Sequence, residues 1–120
     1  MALVGYVRVS TAAQDGALQR DALVKAGCGK LFEDKASGAR SDRPGLNEAL
    51  AYIRAGDVLV VWKLDRLGRS LSHLIDTVTA LGGRGVGFKS LTEGVDTSTS
   101  NGRLVFHIFG SLAEFERDLI

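Results

Sequence analysis

Apolar residues recur along this chain in two patterns, and short polar or glycine-containing segments separate them. Runs rich in β-branched and aromatic residues predict strands at residues 3–9, 30–34, 58–62, 86–91 and, at an edge of the sheet, 92–96. Apolar spacings of three and four predict helices at residues 14–26, from Pro44 up to the glycine at position 56, and at 71–81. The alternation of strands and helices predicts an α/β fold with a mostly parallel central sheet and flanking helices.

The last segment, residues 101–120, carries a wider apolar surface than a helix needs to dock on its own sheet. One apolar stripe follows spacings of three and four, and a second stripe lies beside it. Two adjacent stripes predict a long helix that also meets another subunit, and burial deep within its own fold is the alternative. The predicted subunit contact comprises Val105, Phe106, Ile108, Phe109, Leu112 and Phe115.

This pattern divides the chain into a core, residues 1–100, and the start of a long helix, residues 101–120. No capping residue follows the last apolar position, so we expect the helix to continue in a longer protein from which this chain is cut.

Composition limits the function classes. The 120 residues suit one domain, and 45% hydrophobic with 24% charged residues is usual for a globular protein. The lone cysteine, Cys28, cannot form an internal disulfide, and no basic leader or long apolar run is present, so we expect a cytoplasmic protein. The net charge of +1 argues against a broadly basic surface, so any DNA contact must come from a local cluster or from a part of the protein outside this sequence.

Candidate chemistry begins on the first predicted strand, where Tyr6, Arg8 and Ser10 share one face because side chains alternate across a strand. The loop at residues 63–69 follows the buried strand 58–62, and ligands of parallel sheets bind beyond the carboxyl ends of the strands. If the two strands are neighbours, a hydroxyl, an aspartate and several arginines converge, namely Ser10, Asp65, Arg8, Arg66 and Arg69. Guanidinium groups bind phosphate oxygens through paired hydrogen bonds and keep their charge, so this set indicates attack of a serine on a phosphodiester.

Each of these residues also has a structural interpretation. Ser10 is a candidate helix cap, but Thr11 and Gln14 have the spacing of a capping box, which leaves Ser10 free. The arginines are candidates for solvated surface charges, and Asp65 for a turn cap. The two histidines lie in separate predicted helices, and no phosphate-loop signature occurs, so we expect neither a metal nor a cofactor.

Taken together, the motifs resemble the catalytic domain of the serine recombinases, the resolvases and invertases. Residues 6–11 (YVRVST) resemble the nucleophile strand of that family, and residues 34–38 (DKASG) followed by Arg43 resemble its mobile active-site loop. Residues 63–69 (KLDRLGR) resemble its arginine motif, and residues 113–117 (AEFER) resemble part of its long helix. The run at 60–70 is most similar to the DNA-invertase branch.

The resemblance implies a mechanism and a set of roles. Ser10 would attack DNA to form a 5′-phosphoserine link and a free 3′-hydroxyl, and the hydroxyls would reseal the strands after exchange without ATP. Arg8, Arg66 and Arg69 would bind the scissile phosphate, Arg43 would complete the site, and Asp65 would orient the arginines or take part in proton transfer. Further family positions for DNA-phosphate contact or support of the site are Tyr6, Gln14, Gln19, Lys35, Ser37, Lys63, Glu116 and Arg117.

The resemblance also implies partners. These are a DNA crossover site, a homodimer that pairs into a synaptic homotetramer, and an enhancer-binding accessory protein, with inversion as the favoured outcome and the nucleoid as the place of action. The family's C-terminal helix-turn-helix domain has no counterpart in this sequence. No general base for Ser10 is apparent, and clustered guanidinium groups that favour the alkoxide are a hypothesis.

Two alternatives remain open at this point: a non-catalytic α/β module that dimerises through its last helix, and a small-phosphoester hydrolase.

Overall fold

The computed structural model describes residues 1–10, 15–36, 43–67 and 70–118. The strands are β1 (Leu3–Ser10), β2 (Lys30–Ala36), β3 (Val58–Val61), β4 (Gly87–Ser90) and β5 (Val95–Asp96). The helices are α1 (Gly16–Lys25), α2 (Pro44–Tyr52), α3 (Leu71–Gly83) and α4 (Ser100–Asp118), with a short 3-10 turn at Leu64–Arg66.

The strands form one sheet in the order β2-β1-β3-β4-β5. The first four run parallel, and β5 pairs antiparallel with β4 at the edge. This architecture confirms the predicted α/β fold with a mostly parallel sheet. It also makes β1 and β3 neighbours, in register from Leu3 opposite Val58 to Tyr6 opposite Val61, which is the condition for the predicted convergence of chemistry.

Helices cover both faces of the sheet, as a parallel sheet requires. On one face, Leu59 and Phe88 pack against side chains of α2 and α3 in the larger apolar cluster. On the other face, Val7 and Val60 pack against Leu23 of α1. All of β3 is buried, which accounts for its continuous apolar sequence.

Several predicted boundaries differ from the structure. Helix α1 begins at Gly16 with Asp15 at its N-cap position, and the proposed capping box at Thr11 and Gln14 lies outside the described residues. Strand β2 continues to Ala36, so placing Lys35 in a loop was wrong. Seven parallel residue pairs with β1, ending with Ser10 opposite Ala36, keep this segment extended.

The two apolar stripes of α4 lie in different surroundings. Phe106 and Phe109 are partly buried and pack against the larger cluster of the chain's own core. The other stripe is exposed and comprises Val105, Ile108, Leu112 and Phe115, each with 38–59% of its surface accessible. Within the ranges described, no helix has the length and apolar character that crossing a membrane requires.

Candidate active site

The candidate site lies where β1 extends past its neighbour β3. Pairing with β3 stops at Tyr6 opposite Val61, whereas β1 continues to Ser10. The segment that follows β3, residues 63–67, turns beneath this extension and carries the 3-10 turn. Ser10 is the last residue of β1. The carboxyl end of β1 and the arginine-bearing loop are therefore adjacent, as ligand sites of parallel sheets require.

Arg8 reaches from β1 to this loop. Its Nη2 donates to the backbone carbonyl of Asp65 at 3.1 Å. The buried Gln19 of α1 fixes the backbone at the same residue, because its Oε1 accepts from the Arg8 amide at 3.3 Å and its Nε2 donates to the Arg8 carbonyl at 3.0 Å. Gln19 thus joins α1 to β1 two residues before Ser10, which is a positioning role rather than a phosphate contact.

Arg66 lies in an ionic and aromatic setting. Its Nη2 is 2.6 Å from Oδ2 of Asp15, and its Nε is 3.6 Å from Oδ1 of Asp65. The guanidinium carbon is 5.8 Å from the centroid of the Trp62 ring, and Nζ of Lys63 is 4.7 Å from the same centroid. Two cations therefore flank one indole, an arrangement that holds positive charge near the end of β3.

Asp34, near the carboxyl end of β2, is the buried acceptor of the site. Its Oδ2 accepts from the Tyr6 hydroxyl at 2.7 Å and from the Leu46 amide at 2.9 Å, and its Oδ1 accepts from the Gly45 amide at 2.7 Å. Burial, the hydrogen bond to Asp34 and the charge of Asp34 raise the pKa of Tyr6 above its ordinary value. Tyr6 has no exposed surface, so its hydroxyl supports Asp34 and does not face a phosphate.

The contacts of Asp34 also place Arg43. The first amides of α2 have no partner within the helix, and Asp34 accepts from two of them. Arg43 occupies the N-cap position just before these residues, and its Nη1 donates to the carbonyl of Leu67. Arg43 is 9% exposed, so a guanidinium is held at the inner side of the arginine loop.

Glu93 braces the same loop from the far side. Its carboxylate oxygens lie 3.3 and 3.4 Å from the Leu64 amide, and one of them accepts from the hydroxyl of Ser90 at the end of β4. The first residue of the 3-10 turn is thereby tied to the segment that follows β4.

Four residues of the predicted site lie at or contact the loop at residues 63–67, namely Arg8, Arg43, Asp65 and Arg66. Lys63 begins this loop, and Ser10 is the last residue of β1. Lys35 is exposed on β2. Arg69, Gln14 and Ser37 lie outside the described residues, and Glu116 and Arg117 fall on α4 without described side chains. Among the described residues, no group of three or more His, Cys, Asp or Glu side chains is placed to hold a metal ion.

Sequence reasoning missed three carboxylates that hold the site together: Asp15 pairs with Arg66, and Asp34 and Glu93 accept from neighbouring hydroxyl and amide groups. Their partners lie 51, 28 and 29 residues away in sequence, so no local spacing marks them. One signal was available for Asp34. Helix α2 has no acidic residue in its first turn and no side-chain cap of its own, so an acceptor from elsewhere had to serve its first amides.

Comparisons with known proteins show the family to which the chain belongs. The family described as "Resolvase, N terminal domain" matches residues 3–120. The chain is 61% identical over 118 residues to the serine recombinase gin of Escherichia phage Mu and 59% identical over 118 residues to a DNA-invertase of Escherichia phage P1. It is 53% identical over 120 residues to the DNA-invertase hin of Salmonella typhimurium strain LT2. These matches cover 98–100% of this chain but 61–63% of the relatives, so the chain spans about three fifths of their length.

Solved structures give the same result. The N-terminal catalytic domain of TP901-1 integrase superposes with a TM-score of 0.83 at 30% identity, covering 99% of this chain and 98% of that one. A resolvase family site-specific recombinase from Streptococcus pneumoniae superposes with a TM-score of 0.76 over 98% of this chain and 89% of that one. Its 23% identity supports the fold alone.

Proposed function

Since the chain belongs to the resolvase and invertase family of serine recombinases, we propose that it is the catalytic domain of a site-specific DNA recombinase. Its substrate would be a DNA crossover site, and inversion is the outcome suggested by the names of the relatives from phage P1 and Salmonella typhimurium. Because DNA is the substrate, we place its action in the cytoplasm at the nucleoid.

One observation carries this proposal. Three arginines from three different elements meet at one loop: Arg8 bonds to the carbonyl of Asp65, Arg43 bonds to the carbonyl of Leu67, and Arg66 belongs to the loop itself. Arg8 lies two residues before Ser10, the last residue of β1. Guanidinium groups brought together from distant parts of a chain close to a serine in sequence suit a phosphodiester better than they suit a packed surface.

The chemistry that follows is a balanced exchange of esters. The Ser10 oxygen attacks the phosphorus, its bond to phosphorus forms, and the bond to the 3′ oxygen breaks; that oxygen takes up a proton as it leaves. The arginines stabilise the charge that develops on the non-bridging oxygens, and one such donor contributes about 3 kcal/mol in measured enzymes. Because a phosphodiester replaces a phosphodiester, the reverse attack by a 3′-hydroxyl reseals DNA without ATP. Arg69 is proposed as a further phosphate ligand, and Asp65 as the group that orients the arginines.

The exposed stripe of α4 supplies the proposed subunit contact. Val105, Ile108, Leu112 and Phe115 form a continuous apolar face that a lone domain leaves in water. We propose that this face, extended by the rest of the helix, forms the homodimer, and that two dimers pair in the synaptic tetramer. Glu116 and Arg117 lie on the same helix and are proposed to join that contact or the site. An enhancer-binding accessory protein is a further proposed partner.

The decisive experiment joins the chain, with its last helix extended, to a sequence-specific DNA-binding domain. The fusion is incubated with supercoiled plasmid carrying two target sites, and protein-linked DNA is detected on a denaturing gel. Ser10→Ala is compared with Ser72→Ala in α3 as the matched control. We expect an adduct that Ser10→Ala abolishes, that Ser72→Ala retains, and whose cut strand carries a 3′ end that a polymerase extends.

Other results point elsewhere. An adduct that survives Ser10→Ala would overturn the assignment of the nucleophile. Free phosphomonoester ends that accumulate without any adduct would favour the phosphoester hydrolase.

A further inference from the structure

Arg8 and Arg66 contact groups of different charge. Arg8 donates to the neutral backbone carbonyl of Asp65. Arg66 instead forms a 2.6 Å ion pair with the carboxylate of Asp15, and both side chains are largely buried, with 19% and 20% of their surface exposed. A short, partly buried, charge-assisted contact is among the stronger polar interactions of a protein.

This ion pair uses the donor group that a phosphate would need. Phosphate oxygens bind guanidinium through the same planar N–H groups that a carboxylate occupies. A phosphodiester approaching Arg66 would also bring negative charge toward the Asp15 carboxylate, which repels it. The carbonyl that accepts from Arg8 carries no net charge and opposes a phosphate much less.

Asp15 is itself held in place by contacts that do not involve Arg66. Its Oδ1 accepts from Nε2 of Gln19 at 3.0 Å, and Gln19 is fully buried with its Oε1 and Nε2 atoms both bonded to the backbone of Arg8. Asp15 also occupies the N-cap position of α1. The Asp15 carboxylate therefore keeps its contact with Gln19 when Arg66 turns away.

We propose that Asp15 is a positioning residue that holds Arg66 in a resting state and competes with the scissile phosphate for its guanidinium group. Cleavage-competent binding then requires Arg66 to exchange a carboxylate for a phosphate. This inference rests on the proposed function, because it takes the phosphodiester as the ligand of Arg66.

The test measures binding, which does not require cleavage. The 120-residue chain has its own buried core, so it is used alone with a fluorescent short DNA duplex, and the dissociation constant is read from anisotropy. Asp15→Asn keeps the shape and an acceptor for Gln19 while removing the charge, and Asp15→Ser is a second neutral variant that suits an N-cap position. Asp21→Asn, an exposed position of α1, makes the same change in net charge and is the matched control.

We expect both neutral variants at position 15 to bind the duplex about tenfold more tightly than the wild type, the scale of one hydrogen bond to a charged group. Asp15→Glu, which keeps the charge, should bind like the wild type, and Asp21→Asn should change binding far less. In an Arg66→Ala background, the gain from Asp15→Asn should disappear, because the two side chains act as one unit.

Three results would overturn the proposal: equal gains from Asp15→Asn and Asp21→Asn, a gain that persists with Arg66→Ala, or weaker binding by both neutral variants. The Ser10-dependent adduct tests the recombinase assignment separately. Adduct formation without a specific gain at position 15 would refute the role of Asp15 alone, and absence of the adduct would not mimic that result.

Discussion

Replacing glycine with alanine should have opposite effects on stability at two positions of α4, Gly102 and Gly110. A Cβ atom added at Gly102 would lie 1.7 Å from the backbone oxygen of Asp96 and 2.4 Å from its carbonyl carbon. Those atoms belong to β5 and not to a flexible side chain, so α4 must move to admit a methyl group. At Gly110 the nearest atom is Cγ2 of Ile75 at 3.8 Å, an ordinary contact.

The magnitudes follow from two opposing terms. Replacing a helical glycine with alanine stabilises a helix by about 1 kcal/mol because alanine loses less backbone entropy. Overpacking against a fixed backbone costs about 1–3 kcal/mol or more. The distance between the added Cβ at Gly102 and the Asp96 oxygen is far shorter than any van der Waals contact. We expect Gly102→Ala to lower the free energy of unfolding by about 1–3 kcal/mol and Gly110→Ala to leave it unchanged or raise it by up to about 1 kcal/mol.

Urea unfolding followed by circular dichroism gives both free energies, and thermal unfolding gives a second reading at roughly 3–6 °C per kcal/mol for a domain of this size. Because both sites are in one helix, any general effect of alanine on α4 cancels in the comparison. Equal stability of Gly102→Ala and Gly110→Ala would refute the close approach of α4 to β5 and the position of the start of α4 against the sheet.

Three further predictions concern groups around the sheet. Tyr6→Phe removes one donor from Asp34 and should lower the free energy of unfolding by about 1–2 kcal/mol in urea titrations. The pKa of Tyr6 is raised in the folded state, so the stability that its hydroxyl contributes is fully present below its ordinary pKa of 10.0 and is lost as pH rises through the folded pKa. The 295 nm absorbance of the Tyr6 phenolate should therefore appear only at higher pH than that of a free tyrosine. Glu93→Gln weakens the hydrogen bond to the Leu64 amide, so we expect this amide to exchange its proton with solvent several-fold faster in hydrogen-exchange measurements. An unchanged exchange rate would show that Glu93 does not stabilise the loop through this bond. Burial raises the pKa of the Cys28 thiol, so a disulfide reagent should label it slowly until denaturant is added, and rapid labelling of the native chain would contradict its placement.

The fold was predictable because its signals are local. The buried strand β3 has a continuous apolar sequence, and Pro44 begins α2 at the predicted position. Helix α2 ends at Tyr52, earlier than the glycine at position 56 that was predicted to end it. The order of strands and loops along the chain was enough to predict that the end of β1 and the loop after β3 lie at the same edge of the sheet. The extension of β2 through Lys35 was not predictable, because pairing with β1 and not the intrinsic preference of polar residues keeps that segment extended.

The composition of the candidate site was only half predictable. Arginines were recognisable because their chemistry toward phosphate is known from the side chain alone. The carboxylates of the site were not recognisable. An aspartate at a capping position, such as Asp15, has the same sequence context whether its side chain accepts from a helix amide or from Arg66. Asp15 in fact makes no side-chain cap bond to α1 and pairs with a residue 51 positions away. Such contacts are set by topology, which sequence spacing does not encode.

The pairing of the arginines with groups of the protein also fits the proposed phosphate site to a chain with a net charge of only +1. Cations that already have partners in the resting state attract DNA weakly over distance, because the nearby carboxylate cancels much of their field. Under the proposed function, a phosphate would therefore have to reach the site at high local concentration before it displaces Asp15 from Arg66. The sequence-specific DNA-binding domain of the fusion described above would supply that concentration, so we expect the fused chain to form the Ser10 adduct at DNA concentrations where the unfused chain forms none.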